Sequence, residues 1–557
     1  MKNLTICLMV LFTWTHCAKA NISELVQRSG IQGGLIVHVG CDEGEQTATL
    51  RVNDRFLVLG LDTDHSQINQ ARKYIQSLGL YGPVAVDAFD GKHLPLIDNT
   101  VNLLVMTDLG DVPMAEVLRV LTPEGIAMIG NQKHVKNRPS AIDEWTHYLH
   151  DADNNAVAND TVVGPPRALQ WQAEPKWPRH HDKMSSLSAL VSTGGRIFYI
   201  MDEGSTASIF MPSHWALIAR DAFNGKLLWK KPIDTWYTRY KGLKDGPADA
   251  PRRLVASGDR VYATLNLDGV LSSVDTITGE TVLDYPGTEG TEEILVSDGV
   301  VFVLMGPGSL GDGGRKLRPV EKRTIKALDA TSGNTLWEHT DVVAALTMAV
   351  NKKLLCYFNF ESKQVVCLDR RTGQRLWASD DLPSPSKQLS FFASKLVLHD
   401  DVVLFASGEY SGMTKSGGGE TRSDTLSALN AATGKTLWSD KHPPSGYSSP
   451  ENLFVIDNTV WCDSSSNGKL DGTVIGYDLY TGEVKHQFPE DQSNYWFHHR
   501  CYPGRATQNY LLTSRTGIEF IDLKKEQWDI NHWVRGACLY GIMPCNGLVY
   551  APPAPCA

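Results

Sequence analysis

After its first twenty residues the chain holds no run of about 18 or more uninterrupted apolar residues, so no transmembrane helix is expected. Nor is there an excess of positive charge. Lys and Arg number 53 against 63 Asp and Glu, a formal net charge of -10, which argues against a nucleic-acid partner because phosphate binding needs a basic surface. Cysteine is sparse at 10 residues, and no two are adjacent. Cys501, Cys538, Cys545 and Cys556 near the C-terminus lack zinc-type spacing, and no haem-attaching C-x-x-C-H occurs. There is no G-x-S-x-G, Walker-type loop or H-E-x-x-H, so hydrolase and phosphoryl-transfer chemistry has no support.

What is present has the composition of an ordinary globular protein, 42% hydrophobic and 21% charged, with Gly (48) and Trp (14) plentiful. At 557 residues it is too long for one core, and two or more domains are expected. The first twenty residues read as a secretory signal: Lys2, an apolar run from Leu4 to Trp14, and Ala18-Lys19-Ala20 as a small-x-small cleavage site. Export to a periplasmic or secreted location, with cleavage after Ala20, is the expectation. The remaining cysteines would then meet an oxidising compartment. Cys356 and Cys367 fall opposite one another if Glu361-Ser362 is a two-residue hairpin loop. That loop sets them at a hydrogen-bonded pair, where the wider Cα spacing disfavours a bridge.

The second half repeats a phrase six times: an acidic residue or Asn, three residues, Gly, three residues, then usually Trp. The copies start at Asp221, Asp275, Asp329, Asp369, Asn430 and Asp478, with Gly225, Gly279, Gly333, Gly373, Gly434 and Gly482 at their centres. Spacings of 54, 54, 40, 61 and 48 residues fit four-stranded propeller blades. A degenerate seventh unit spans Tyr510 to Trp528, with Lys525-Glu526 in place of Thr-Gly, and Cys538 to Pro553 offers two more strands. Seven to eight four-stranded blades are expected. The last is short of strands, as in a truncated ring, and 167–171 is read as the closing strand.

Residues 21–135 alternate apolar runs with helical patterns. Strands are expected at 34–39, 56–61, 83–86, 101–106 and 125–129, with helices from about Gln46, from Ser66 to Leu78 (capped by Ser66), and from Met114 to Leu121. This order predicts a parallel sheet with helices on both faces, a Rossmann-like α/β domain. The stretch His38-Val39-Gly40-Cys41-Asp42-Glu43-Gly44, the strand ending Gly60-Leu61-Asp62, and Asp87-Ala88-Phe89 resemble a class I S-adenosylmethionine-dependent methyltransferase over roughly 100 positions. The resemblance implies cofactor contacts from Gly40 and Gly44, ribose hydroxyls on Asp62, and the adenine amino group near Asp87. It departs from the family pattern at His38, where an acid is usual, and at Asp42, where the middle glycine is usual. Asp42 adds a side chain and a negative charge where the methionine moiety approaches. S-adenosylmethionine is also a cytoplasmic metabolite, at odds with export. No catalytic base stands out.

Residues 136–178 read as a linker and propeller entry segment, rich in Asn, Pro and His. Trp145-THYLHDADNN holds His147, His150, Asp151 and Asp153, but Ala156 and Val162 replace the Gly and Glu of a calcium loop, so a hydrogen-bonding structural role is favoured over metal. Residues 179–557 resemble the pyrroloquinoline-quinone-like repeat propellers. That resemblance implies Trp anchors packed between blades. The family's quinone-using dehydrogenases carry adjacent cysteines over the cofactor, and their absence argues against bound quinone. His180, His181, His498, His499 and Arg500 lie on segments entering blades and form the candidate propeller pocket, suited to an anionic or sugar-like ligand. The leading reading is an exported two-module protein whose propeller binds a small molecule or protein. A functional methyltransferase with the propeller recruiting substrate, and a quinone-dependent oxidoreductase, are the alternatives.

Overall fold

A computed structural model describes residues 22–177, 179, 187–208, 211–236, 250–306, 320–384, 394–407, 424–443, 452–463, 473–489, 491, 502–513, 517–531, 533–537 and 540–553. The first twenty residues, in which a secretory signal is expected, lie outside them, as do His180, His181, His498, His499 and Arg500. Two compact units divide between Lys136 and Asn137.

The first unit is a six-stranded sheet in the order β3-β2-β1-β4-β5-β6. Its strands are β1 (Gly34–Val39), β2 (Phe56–Asp62), β3 (Val84–Ala88), β4 (Val101–Met106), β5 (Leu121–Ile129) and β6 (Gln132–Val135). The first five are parallel, and β6 turns back antiparallel on β5. No strand is expected at 132–135 from the sequence, because these four residues carry no apolar alternation. Gly130, at φ 56°, makes the reversal.

Alternate strand residues feed two cores. Ile36, Val58, Val86, Leu103 and Val105 pack with Leu25 and Val26 of α1 (Ile22–Ser29), Ala48 of α2 (Glu45–Thr49), and Ile68, Ala71 and Ile75 of α3 (His65–Ser77). Val37, Leu61, Leu104 and Met106 pack on the other face with Val117 and Val120 of α4 (Met114–Val120). Ser66 is not the cap of α3. Asp64 is, its carboxylate accepting from the Ser66 amide at 2.7 Å.

The second unit contains six four-stranded antiparallel sheets at 187–232, 254–285, 291–341, 349–378, 395–442 and 453–489. A seventh, at 505–531, gains a fifth strand from β7 (Val157–Ala158), which runs parallel to Arg505–Thr507. A two-stranded hairpin, Met543–Cys545 with Leu548–Tyr550, follows. The first strand of each blade lies beside that of the next, and the hairpin sits between the seventh blade and the first, so the ring closes. No strand forms at 167–171, so the closing strand expected there is replaced by the terminal hairpin, while β7 adds to the seventh blade.

Trp171 nonetheless takes part, through the device that the repeats share. The indole of each Trp packs on the central Gly of the following repeat. Its Nε1 donates to the carbonyl of the residue after that repeat's acid or Asn: Trp229 to Thr276 at 3.0 Å, and Trp337 to Arg370, Trp377 to Ala431 and Trp438 to Leu479 at 2.9 Å. Trp171 does the same to Ala222 at 2.9 Å, against Gly225 of the first blade. Where Leu283 replaces Trp, Tyr285 substitutes, its hydroxyl donating to Ala330 at 2.6 Å. The glycines hold φ of 69–77°, the left-handed region that a bulged turn demands.

Candidate cofactor site and the propeller axis

In the first unit, parallel pairing brings the ends of β1, β2 and β3 to one edge, beside the point where strand order reverses between β1 and β4. Ligands of such sheets bind at this edge. Gly40 and Gly44 both adopt positive φ, 81° and 87°. A Cβ on Gly40 would meet nothing within 4 Å, whereas one on Gly44 would strike Ala71 of α3 at 2.8 Å. Gly40 thus leaves backbone open to a ligand, and Gly44 serves helix packing. Asp62 accepts from the Asp42 amide (3.2 Å) and the Asp64 amide (3.0 Å), one on each oxygen. A carboxylate offers about four acceptor sites, so acceptors for a diol remain. Asp87 is ion-paired to Arg72 of α3 at 3.4 Å and accepts from the Ala88 amide.

The two departures from the family pattern have clear consequences here. His38 is 5% exposed, and its Nδ1 lies 2.8 Å from the Thr47 hydroxyl. Burial lowers its pKa to about 4 against the pull of Asp42 and Asp62, so it is neutral. Asp42 holds φ 45° at the exposed turn. The residues present fit the adenosine half of an S-adenosylmethionine-type ligand. At the methionine half an uncharged imidazole stands in place of an acid, and a carboxylate in place of a glycine.

In the propeller, the former linker is a central plug. Eight acceptors along it are met by eight amides in order around the ring, the first from the terminal hairpin and the other seven from the blades. The Asp143 carbonyl accepts from Asn546, Trp145 from Ser192, Thr146 from Ala256, Ala152 from Val350, Asp153 from Leu398 and Ala156 from Ala506, at 2.7–3.0 Å. His147 Nε2 accepts from Val296 at 3.0 Å and Asn155 Oδ1 from Val455 at 2.9 Å. First-strand amides converging on the axis have no strand to pair with, and a buried orphan amide costs roughly 1–3 kcal/mol. A segment rich in turn formers can curl around the axis and satisfy each in turn. Among the described residues no His, Cys, Asp and Glu group has metal-binding geometry.

Beside the plug lies a set of buried charges. Arg505 sits 4.8 Å and Arg252 5.7 Å from the centre of the Tyr148 ring. Arg252 pairs with Glu293, and Arg323 pairs with Glu292 at 2.8 Å. A signal existed: Arg253, Glu293, Lys395 and Asn452 each stand three positions before the residue that donates to the plug. Lys352, Arg370 and Arg371 with Asp298, Val300 and Leu336 line a cavity of about 510 Å³ between the third and fourth blades.

His147 makes the plug pH-sensitive. Burial holds its pKa at about 4, opposed by Asp151. The unfolded chain takes up a proton near 6.5 that the folded imidazole, accepting from Val296, refuses. Stability contributed by His147 is therefore intact above about pH 6.5 and is lost as pH falls towards 4. His150 opposes this: burial disfavours its charge, but Asp143 at 2.8 Å outweighs burial and raises its pKa. Asp153, pushed up to about 7 by burial and Asp151, also favours the folded state at low pH. The His147→Gln variant keeps an acceptor and removes one titration. Its stability deficit, measured by urea unfolding from pH 7 to 4.5, is expected to shrink by about 1 kcal/mol per pH unit below 6.5. A deficit constant with pH would count against the assignment.

Residues 215–487 match the family model described as the outer membrane protein assembly factor BamB, and residues 37–129 match that of a methyltransferase domain. The chain is a methyltransferase-type α/β domain joined to a propeller of pyrroloquinoline-quinone-like repeats. Among solved structures it resembles BamB from Moraxella catarrhalis, at 18% identity over 68% of this chain and 89% of that one, TM-score 0.37. It also resembles the quinohemoprotein alcohol dehydrogenase of Comamonas testosteroni, at 11% identity over 68% and 71%, TM-score 0.43. A putative S-adenosyl-L-methionine-dependent methyltransferase from Methanococcus maripaludis matches at 22% identity, TM-score 0.18. That match covers 20% of this chain and 55% of the methyltransferase. No curated protein matches the chain. No described helix is long and apolar enough to cross a membrane.

Proposed function

We propose that this is an exported binding or scaffold protein in which the methyltransferase-type unit has lost catalysis and the propeller carries recognition of a small molecule or protein. The observation that carries the first half is His38. It is buried, neutral and bonded to Thr47, at the strand end where the family presents a negative charge. Asp42 adds a carboxylate two residues after Gly40. For the propeller, a plug that satisfies the axial amides, together with a match to an assembly-factor family, supports a binding role over cofactor chemistry. Export rests on the N-terminal sequence.

Isothermal titration of the purified protein with S-adenosylmethionine is expected to give no micromolar binding, and Asp62→Ala is expected to behave as the parent does. Micromolar binding abolished by Asp62→Ala would favour the second reading, a working methyltransferase using Gly40, Gly44, Asp62 and Asp87. The open side of Gly40 and the spare acceptors of Asp62 speak for that reading. A mature N-terminus at Asn21 in an exported fraction tests localisation separately.

A further inference from the structure

We infer that Cys356 and Cys367 form a disulfide bond across the two central strands of the fourth blade. Strands Leu354–Asn359 and Gln364–Asp369 pair with Cys356 directly opposite Cys367. Their sulfur atoms lie 2.8 Å apart. Unbonded carbon atoms rest at about 3.5–4.0 Å and sulfur is larger, so no ordinary contact is this close.

The hairpin geometry supports the bond for a reason the sequence reading had inverted. The loop is four residues, 360–363, because the Asn359 side-chain oxygen accepts from the amides of both Glu361 and Ser362 at 2.9 Å. The carbonyl of Phe358 accepts from Ala344, and the Phe360 amide donates to Val342, so both point away from the partner strand. On that strand the Val365 amide donates to Ser379, again outward. Phe358 and Val365 are therefore a non-hydrogen-bonded pair. Cys356 and Cys367, two residues further along each strand, share that parity, the one in which cross-strand side chains approach most closely. Both thiols are fully buried. The other described cysteines, Cys41, Cys462 and Cys545, sit in different cores.

The bond forms by thiol–disulfide exchange with a small disulfide such as oxidised glutathione. One cysteine thiolate attacks the donor disulfide and releases one donor thiol. The second cysteine then attacks the mixed disulfide and releases the other. Two protein thiols are oxidised, one donor disulfide is reduced to two thiols, and both protons leave with them. Burial pushes the Cys356 thiol well above its usual range, so exchange must precede packing of the blade. The exported location proposed above would supply such a donor in the cell, but the test does not depend on it.

The full chain is refolded with oxidised and reduced glutathione, alkylated without reduction, and digested with trypsin. Cleavage after Lys363 separates the two cysteines. Peptides 354–363 and 364–370 are expected as one linked species that splits on reduction. Recovery of both peptides alkylated, or either linked to another cysteine, overturns the inference. As a second measurement, reductant is expected to lower the melting temperature of the parent while leaving a Cys356→Ala, Cys367→Ala double variant unmoved. Equal shifts in both proteins would overturn it as well.

Discussion

Trp145→Ala is expected to destabilise the propeller by about 3–5 kcal/mol, the range for truncating a buried Trp. Trp145 is fully buried, within the core that joins the plug to the first, sixth and seventh blades and the terminal hairpin. Its indole donates to the Tyr148 carbonyl at 3.3 Å and meets the His150 ring edge-on at 5.2 Å. The Arg505 guanidinium lies 5.8 Å from it. Truncation removes this packing and frees the turn that carries Tyr148, over which Arg505 and Arg252 rest. Hydrogen exchange gives the sharper readout. The amides of Ser192, Ala256, Val296, Val350, Leu398, Val455 and Ala506 should lose protection together, because one continuous segment accepts from all of them. Loss confined to Ser192 and Ala256 would mean that the plug is not one cooperative element.

The residues that make this plug also mark where sequence reading stops. The propeller was legible because its device uses side chains: an acid, a glycine and a Trp at fixed offsets. The first unit was legible through apolar runs, four of whose five strands match within about two residues, the fifth starting four residues earlier at Leu121. The plug works mostly through backbone carbonyls, which any residue supplies, so Trp145-THYLHDADNN offered only polarity and turn formers. Cys356 stands opposite Cys367 as expected, but the hydrogen-bonding parity of the pair differs, because one side chain, Asn359, chose a four-residue loop over a two-residue one. At the candidate cofactor site, Asp62 and Gly40 could be placed from strand ends. That Thr47 fixes the His38 ring, or that Arg72 engages Asp87, depends on helix placement across the sheet edge.

Gly373→Ala is the second large effect, and it tests why the repeat pairs Gly with Trp. A methyl at Gly373 would stand 2.5 Å from the Trp337 indole. It would also force φ 69° on an L-residue, which costs about 1–2 kcal/mol by itself. Moving the indole forfeits its bond to the Arg370 carbonyl and its packing on Phe302, whose ring centre is 5.9 Å away. The total expected is about 3–5 kcal/mol. Gly299→Ala separates the two causes, since Gly299 holds φ 75° with nothing within 4 Å of the added methyl. It should show the backbone cost alone. In a Trp337→Leu background, Gly373→Ala should likewise fall towards that smaller value, giving a coupling of about 2 kcal/mol in a double-mutant cycle. The chain already contains such a natural double change. In the seventh blade Glu526, at φ 54°, occupies the glycine position, and the residue facing it from the sixth blade is His486 rather than Trp. The smaller ring leaves room for the side chain, and His486 Nδ1 lies 3.2 Å from the Glu526 carboxylate. If Gly373→Ala costs no more than Gly299→Ala, the indole yields freely, and the Gly–Trp pairing is a turn requirement with no packing component.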